Sequence, residues 1–197
     1  MRILMLSDVY FPRVNGVSTA IQTYRQQLPA QGFTSALLVP RYSAADWEPD
    51  VERLPAWTVP MDREDGLVRA GLFRRRAIRA AANCDLVHIQ TPFAAHGAGI
   101  AAARRHGLPV VASYHTLFEE YLQHYAPFVP KSSLRGLARR LSRQQCNELD
   151  AVIVPSAQMQ ERLLSYGVTT PMHILPTGIP LGRFAHGGNW DSPADLA

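Results

Sequence analysis

The residues best suited to chemistry lie in one stretch, Ser113-Tyr114-His115-Thr116-Leu117-Phe118-Glu119-Glu120-Tyr121. It follows the apolar run Val110–Ala112, so His115 stands just past the end of a buried strand. A histidine there, followed by a hydroxyl, paired carboxylates and tyrosines at helical spacing, offers donors and acceptors to a polyhydroxylated ligand. Glu119 and Glu120 equally suit a solvated helix face. A second stretch follows the first apolar run and reads Ser7-Asp8-Val9-Tyr10-Phe11-Pro12-Arg13-Val14-Asn15-Gly16-Val17-Ser18-Thr19. Gly16 lets a backbone approach a ligand closely, and Ser18 or Thr19 can cap the next helix, whose free N–H groups then form an anion site suited to phosphate. The dinucleotide pattern G-x-G-x-x-G is absent, which argues against NAD, and Asn15-Gly16 also reads as a plain turn. A third stretch follows Leu86–Ile89, where Gln90 and Thr91 are candidate substrate contacts and His88 reads as an interior histidine.

Short β-branched runs must position these groups. Ile3–Leu6, Ala36–Val39, Leu86–Ile89, Val110–Ala112, Ala151–Val154 and His173–Leu175 read as strands. Ser18–Gln31, Arg69–Asn83, Ala94–His106, Ser132–Leu149 and Gln158–Tyr166 read as helices between them. Strand and helix in alternation specify parallel βαβ units, hence an α/β fold: a Rossmann-like, doubly wound, mostly parallel sheet. Gly32, Gly107 and Gly167 each follow a helical pattern and mark its stop. The segment Tyr42–Asp65 carries seven acids and three prolines and reads as loops around one short strand, Trp57–Val59. The tail from His186 reads as a linker or the start of something else.

The 197 residues fit one full-sized domain, and 47% hydrophobic with 18% charged residues excludes a disordered chain. Net charge is +4, and since Lys131 is the single lysine, nearly all positive charge is guanidinium. Cys84 and Cys146 show neither metal nor redox spacing, which fits a reducing cytoplasm. No apolar run approaches the roughly 18 residues of a membrane span, so any membrane contact is expected to be peripheral, on the inner face.

The helix over Ser132–Leu149 is the strongest candidate for that contact. Lys131, Arg135, Arg139 and Arg143 recur every four residues, with Arg140 beside them, and no acid occurs before Glu148. Leu134, Leu137, Ala138, Leu141 and Leu149 form the opposing apolar stripe. Each cation near an anionic bilayer contributes about 1 kcal/mol, although an ordinary surface helix has the same pattern. A second basic group, Arg69, Arg74, Arg75, Arg76 and Arg79, lies on another helix. Nucleic acid is not expected as a partner: no recognition module is present, and the acids of Asp46–Asp65 would repel phosphates.

Several of these stretches together resemble a known family. Ser-Asp-x-Tyr-x-Pro-x-Val-Asn-Gly-Val at Ser7–Val17, Thr-Pro-Phe at Thr91–Phe93, Tyr-His-Thr-x-Phe-Glu-Glu-Tyr at Tyr114–Tyr121, Val-Pro-Ser at Val154–Ser156 and Leu-Pro-Thr-Gly-Ile at Leu175–Ile179 resemble the amino-terminal domain of family 4 retaining glycosyltransferases. The likeness runs from Met1 to about Phe184 and is greatest to the lipid-glycosylating branch, the diacylglycerol glycosyltransferases and phosphatidylinositol mannosyltransferases. It implies one half of a GT-B architecture, with residues 1–184 as the acceptor-side domain and 185–197 leading toward a carboxyl-terminal donor-binding domain. It also implies a nucleotide-sugar donor and no bound metal or cofactor. The acceptor would be a membrane lipid head group, with a soluble or polyprenyl-linked glycan as the alternative; a non-catalytic binding module is the rival of another class. In this likeness His115 contacts the donor sugar near the reacting carbon, and the loop of Asn15, Gly16 and Val17 meets the donor phosphates or the acceptor. Asp8, Tyr10, Gln90, Thr91, Thr116, Glu119 and Tyr121 are expected around the acceptor. Two residues depart from the family pattern: Thr177 stands where Asn is usual, and Pro180 where Asp is usual.

Overall fold

A computed structural model describes residues 1–42, 47–59, 62–115 and 131–178. Seven strands form one sheet in the order β3-β2-β1-β6-β7-β8-β9, every neighbouring pair parallel. They are β1 (Arg2–Leu6), β2 (Thr34–Pro40), β3 (Val51–Leu54), β6 (Leu86–Ile89), β7 (Val110–Ser113), β8 (Ala151–Val154) and β9 (Met172–Ile174). β4 (Ala56–Val59) and β5 (Asp62–Val68) form a separate antiparallel pair. Among the described residues the α-helices are α1 (Gly16–Gln27), α2 (Ala70–Ala81), α3 (Ala94–His106), α4 (Lys131–Cys146) and α5 (Ala157–Ser165), and a short 3-10 turn, Leu28–Gln31, follows α1. This is the Rossmann-like sheet that the alternation of patterns requires, and the glycines at the three expected stops, Gly32, Gly107 and Gly167, all take positive φ.

Burial divides the core in two across the sheet. Residues of α2, α3, α4 and α5 pack with Leu4, Leu6, Val87, Ile89, Val152 and Val154 in the larger cluster. On the opposite face, Val17 and Ile21 of α1 meet Ile3, Met5, Leu37 and Val39. Strand residues of alternating parity thus feed opposite layers, the pattern of a sheet covered on both sides. Helix α3 lies unusually close to β6. A Cβ at Gly99 would stand 2.6 Å from Ile89 Cγ1, a distance that real side chains do not tolerate.

The strand order reverses between β1 and β6, since the chain winds outward from β1 to β3 and then in the other direction from β6 to β9. In open α/β sheets the loops at such a switch point diverge and leave a crevice at the carboxyl ends of the strands. Here those loops are Ser7–Asn15 after β1 and Gln90–Phe93 after β6.

The segment read as loops is more ordered than its composition suggests. It holds β3 and the β4–β5 pair in addition to the expected strand at Trp57–Val59. Its acids are used: Glu48 bonds Arg25 and lies 3.9 Å from Arg53, and Glu52 pairs with Arg76. The basic group on α2 is therefore partly neutralised, and Arg69 stacks over the Trp57 ring at 5.2 Å. On α4 the apolar stripe also differs from expectation. Leu134, Ala138, Ser142 and Cys146 face the core, whereas Leu137 is 46% exposed, because the buried row follows the i, i+4 spacing from Leu134. Among the described residues no helix is long and apolar enough to cross a membrane.

Candidate functional site

The loop after β1 is built from its own side chains. Ser7 Oγ donates to the Val9 carbonyl at 2.6 Å and accepts from the Val9 N–H at 3.2 Å, turning the chain sharply beyond the sheet. Asp8 then reaches across the switch point. Its carboxylate accepts from Thr91 Oγ1 at 2.7 Å and from the Ala95 N–H at 3.1 Å, while its own N–H donates to Thr91 Oγ1 at 2.7 Å. Asp8 thus supplies acceptors to the start of α3, where Phe93 at the N-cap provides none. Desolvation outweighs these hydrogen bonds and pushes its carboxyl up to about 6. The loop ends at Asn15, whose side chain accepts from the Ser18 N–H at 2.8 Å and caps α1. A Cβ at Gly16 would meet nothing within 4 Å, so the glycine leaves open space above the α1 N-terminus, where the first N–H groups have no intrahelical partner.

Strands β6 and β7 bring the other polar groups beside it. His88 is 4% exposed, bonds Ser113 Oγ at 2.9 Å and meets the Tyr24 ring edge-on at 5.4 Å; it is the interior histidine expected, and desolvation lowers it to about 3. His115 Nε2 lies 2.9 Å from Gln90 Oε1. With the amide assigned in this orientation the ring donates from Nε2 and keeps Nδ1 as an acceptor. Desolvation holds His115 near about 4, so the imidazole is neutral at ordinary pH. Gln90, 2% exposed, has its Nε2 buried without a hydrogen-bond partner. An unsatisfied amide in a native site is costly, of order 1–3 kcal/mol, and calls for a ligand or water to complete it.

A cavity of about 40 Å³ collects these groups. Val17, Gln90, Thr91 and His115 line it, with Ile89, Ala112, Leu149 and Val152 giving its floor an apolar character. Of the loop expected to meet phosphate, Val17 lines the cavity beside His115, whereas Asn15 and Gly16 are not among the lining residues. Three further side chains line it that the sequence reading did not single out: His96, Gln145 and Cys146. His96 Nε2 lies 3.6 Å from Glu148 Oε2, too long for a hydrogen bond, and burial lowers its proton affinity. Gln145 Nε2 donates to the Pro92 carbonyl at 2.9 Å, fixing α4 to the loop after β6. The Cys146 thiol is pushed up to about 12 by burial, which makes it an inert wall. The local signal for His96 was its place in the first turn of a helix whose residues from Ala94 to Gly99 are otherwise Ala and Gly, where a large polar group needs a reason.

Tyr10 is placed elsewhere. Its ring is 1% exposed in the smaller core cluster, and its hydroxyl lies 3.2 Å from Glu48 Oε1, with Arg53 over the ring at 5.6 Å. Arg135, Arg139, Arg140 and Arg143 are exposed on α4. Lys131 begins that helix, but its side chain lies outside the described residues, as do Thr116, Glu119, Tyr121 and Pro180.

Residues 14–183 match Glycosyltransferase Family 4. The chain belongs to that family. Among its relatives, the alpha-monoglucosyldiacylglycerol synthase of Streptococcus pneumoniae is 32% identical over 192 residues, which cover 93% of this chain and 42% of the relative. That of Acholeplasma laidlawii is 28% identical over 191 residues, covering 93% and 48%. The chain thus spans less than half the length of these relatives. The fold is likewise one half of the GT-B architecture. Sucrose-phosphate synthase from Thermosynechococcus elongatus superposes with a TM-score of 0.63 at 18% identity, covering 92% of this chain and 49% of that one. Anabaena HepE, solved in complex with UDP-glucose, gives 0.58 at 16% identity, covering 92% and 45%.

Proposed function

We propose that this chain is the acceptor-side domain of a retaining glycosyltransferase that moves a sugar from a nucleotide-sugar donor to the polar head of a membrane lipid. The observation that carries the reading is the shared cavity of Val17, Gln90 and His115 at the switch point. In this reading residues 1–184 form the domain, and 185–197 lead toward a carboxyl-terminal domain that supplies most donor affinity. The N–H groups at Gly16 and Val17, at the positive end of α1, face the diphosphate as it leaves, without a metal or other cofactor. Neutral His115 accepts a sugar hydroxyl at Nδ1 while Gln90 holds its Nε2, and the orphan Nε2–H₂ of Gln90 donates to a second hydroxyl. The lipid acceptor is supported by the likeness of the chain to the two alpha-monoglucosyldiacylglycerol synthases. A peripheral position on the inner membrane face follows from that acceptor.

The test is a transfer assay on the full-length protein, with labelled nucleotide sugars against diacylglycerol, phosphatidylinositol and soluble glycans. We expect a glycolipid product and a loss of about 100-fold or more in kcat for His115→Ala. Transfer to soluble glycans alone would remove the lipid from the reading. A full-length protein that transfers to nothing, or a His115→Ala variant of undiminished rate, would defeat it altogether.

A further inference from the structure

Most polar side chains around the site cavity already have partners. Thr91 bonds Asp8, Ser113 bonds His88, Tyr114 bonds Ser142 and Gln145 bonds the Pro92 carbonyl. Two buried nitrogens on the same lining lack a hydrogen bond: Nε2 of Gln90 and Nε2 of His96. The two residues are 2% and 7% exposed, so bulk solvent does not complete them. A buried orphan of this kind is expensive, and two on one cavity point to a shared guest.

The fold holds both groups in place. Gln90 follows β6 with its Oε1 2.9 Å from His115 Nε2, and His96 lies in the first turn of α3. Asp8 accepts from the N–H of the neighbouring Ala95, and Gly99, one turn beyond His96, sets α3 against Ile89, the residue before Gln90. These contacts fix the strand end and the helix start against each other. Glu148 Oε2, 3.6 Å from His96 Nε2, is beyond hydrogen-bond reach.

Size and chemistry restrict the guest. A cavity of about 40 Å³ takes one functional group or a few waters, whereas a whole small-molecule ligand needs about 300–1,000 Å³. Ile89, Ala112, Leu149 and Val152 make much of the wall apolar, so a charged group would enter at high cost. The Gln90 amide offers a proton, so the guest must accept. Neutral His96 presents either a proton or a lone pair at Nε2, according to its tautomer. A hydroxyl oxygen answers both tautomers, a carbonyl answers only one, and an ammonium offers the amide no acceptor.

We propose that Gln90 and His96 together bind one O–H group in this cavity. Its source is either a water retained by the protein or a hydroxyl of the donor sugar. In the second case His96 selects for a sugar that carries that hydroxyl, a role that rests on the sugar-transfer reading. The first case does not depend on it.

The full-length protein is crystallised alone and with UDP-glucose, at a resolution that shows ordered water. Transfer from UDP-glucose and from its monodeoxy analogues is measured for the wild type, His96→Leu and His96→Gln. An oxygen within about 3.2 Å of both nitrogens is expected. If it is present without ligand and stays when UDP-glucose binds, it is a water, and His96→Leu affects all donors alike. If a sugar hydroxyl takes its place, His96→Leu should lower kcat/KM for UDP-glucose about tenfold or more and leave one deoxy analogue within about twofold. His96→Gln, which keeps a nitrogen at similar reach, should then recover most of the loss. Melting temperatures are recorded in parallel; if His96→Leu loses its fold, the wild-type crystals and His96→Gln carry the comparison. A cavity without an oxygen in every crystal, or an oxygen bonded to Gln90 alone, overturns the proposal. Absence of transfer from any donor strikes the enzymatic reading and leaves the crystallographic result to decide this one.

Discussion

Acid should unfold this domain through its buried histidines, and the loss can be worked from the structure. His88 and His115 are held near about 3 and about 4 by desolvation, against a usual 6.5. Both are lowered on folding, so the unfolded chain binds protons that the folded chain refuses. Stability is then intact above pH 6.5 and declines as pH falls from there toward 4. At pH 5 each unfolded imidazole is almost fully protonated and each folded one almost bare, which costs about 2 kcal/mol per histidine. Asp8 works in the opposite sense. Its carboxyl is raised to about 6 from 3.8, so the folded state takes up its proton first and regains about 1 kcal/mol by pH 5. The net loss between pH 8 and pH 5 is therefore about 3 kcal/mol, a large part of a typical domain's 5–15 kcal/mol. Urea denaturation at pH 8, 6.5, 5.5 and 5 measures it. The variant His115→Asn removes one of the two histidines and should flatten the decline by about 2 kcal/mol. A wild-type stability that stays constant within about 1 kcal/mol over this range would refute the burial argument, as would NMR titration of either ring near pH 6.5.

Other perturbations probe the supports of the site. Asn15→Ala removes the cap of α1 and should cost about 1 kcal/mol in chemical denaturation; a change below about 0.3 kcal/mol would mean that the loop, not the cap, holds the helix start. Gly99→Ala forces a Cβ to 2.6 Å from Ile89 and should cost about 1–3 kcal/mol, read as a lowered melting temperature. Thr91→Val deletes the hydroxyl that Asp8 both donates to and accepts from, and should cost about 1–3 kcal/mol at pH 8. Gln90→Leu removes the cavity-lining amide along with the His115 partner; it should move the His115 pKa little, since burial sets it, while depressing transfer by the full-length protein about tenfold or more.

Periodicity and punctuation were enough for six of the sheet's seven strands. The apolar runs Leu86–Ile89 and Ala151–Val154 located β6 and β8 to the residue, whereas the switch point needed the strand order that the structure supplies. Chain order alone also brought the loop after β1 and His115 to the same edge, because both follow central strands. What stayed hidden were pairings that depend on tertiary contact. The acids of Tyr42–Asp65 look like a loop by composition, yet Glu48 and Glu52 meet arginines of distant elements and let β3 join the sheet. Tyr10 has the same neighbours in sequence as Asp8 but points into the core, a choice made by the turn at Ser7. Leu137 satisfies a one-dimensional stripe while the real buried row runs through Ser142. For His96 the sequence offers only an isolated polar group among Ala and Gly, and the seating of α3 on β6 is what brings it to the cavity.

The site's geometry suggests why so many of its polar side chains contact protein and so few are left for a ligand. Asp8 ties the loop after β1 to Thr91 and to the start of α3, and Gln145 ties α4 to the carbonyl of Pro92 between them. His88 and Ser113 bond beneath, locking the ends of β6 and β7 together. Each loop that flanks the crevice is thereby fixed to an element that it does not follow in sequence. The ordering cost of these loops falls on folding, before any ligand arrives, and is offset there by buried hydrogen bonds. Among the described residues that line the cavity, the buried nitrogens left without a hydrogen bond are Nε2 of Gln90 and Nε2 of His96. A site so prepared loses little conformational freedom on binding, which favours a polyhydroxylated ligand whose many weak hydrogen bonds would otherwise be spent on ordering the protein.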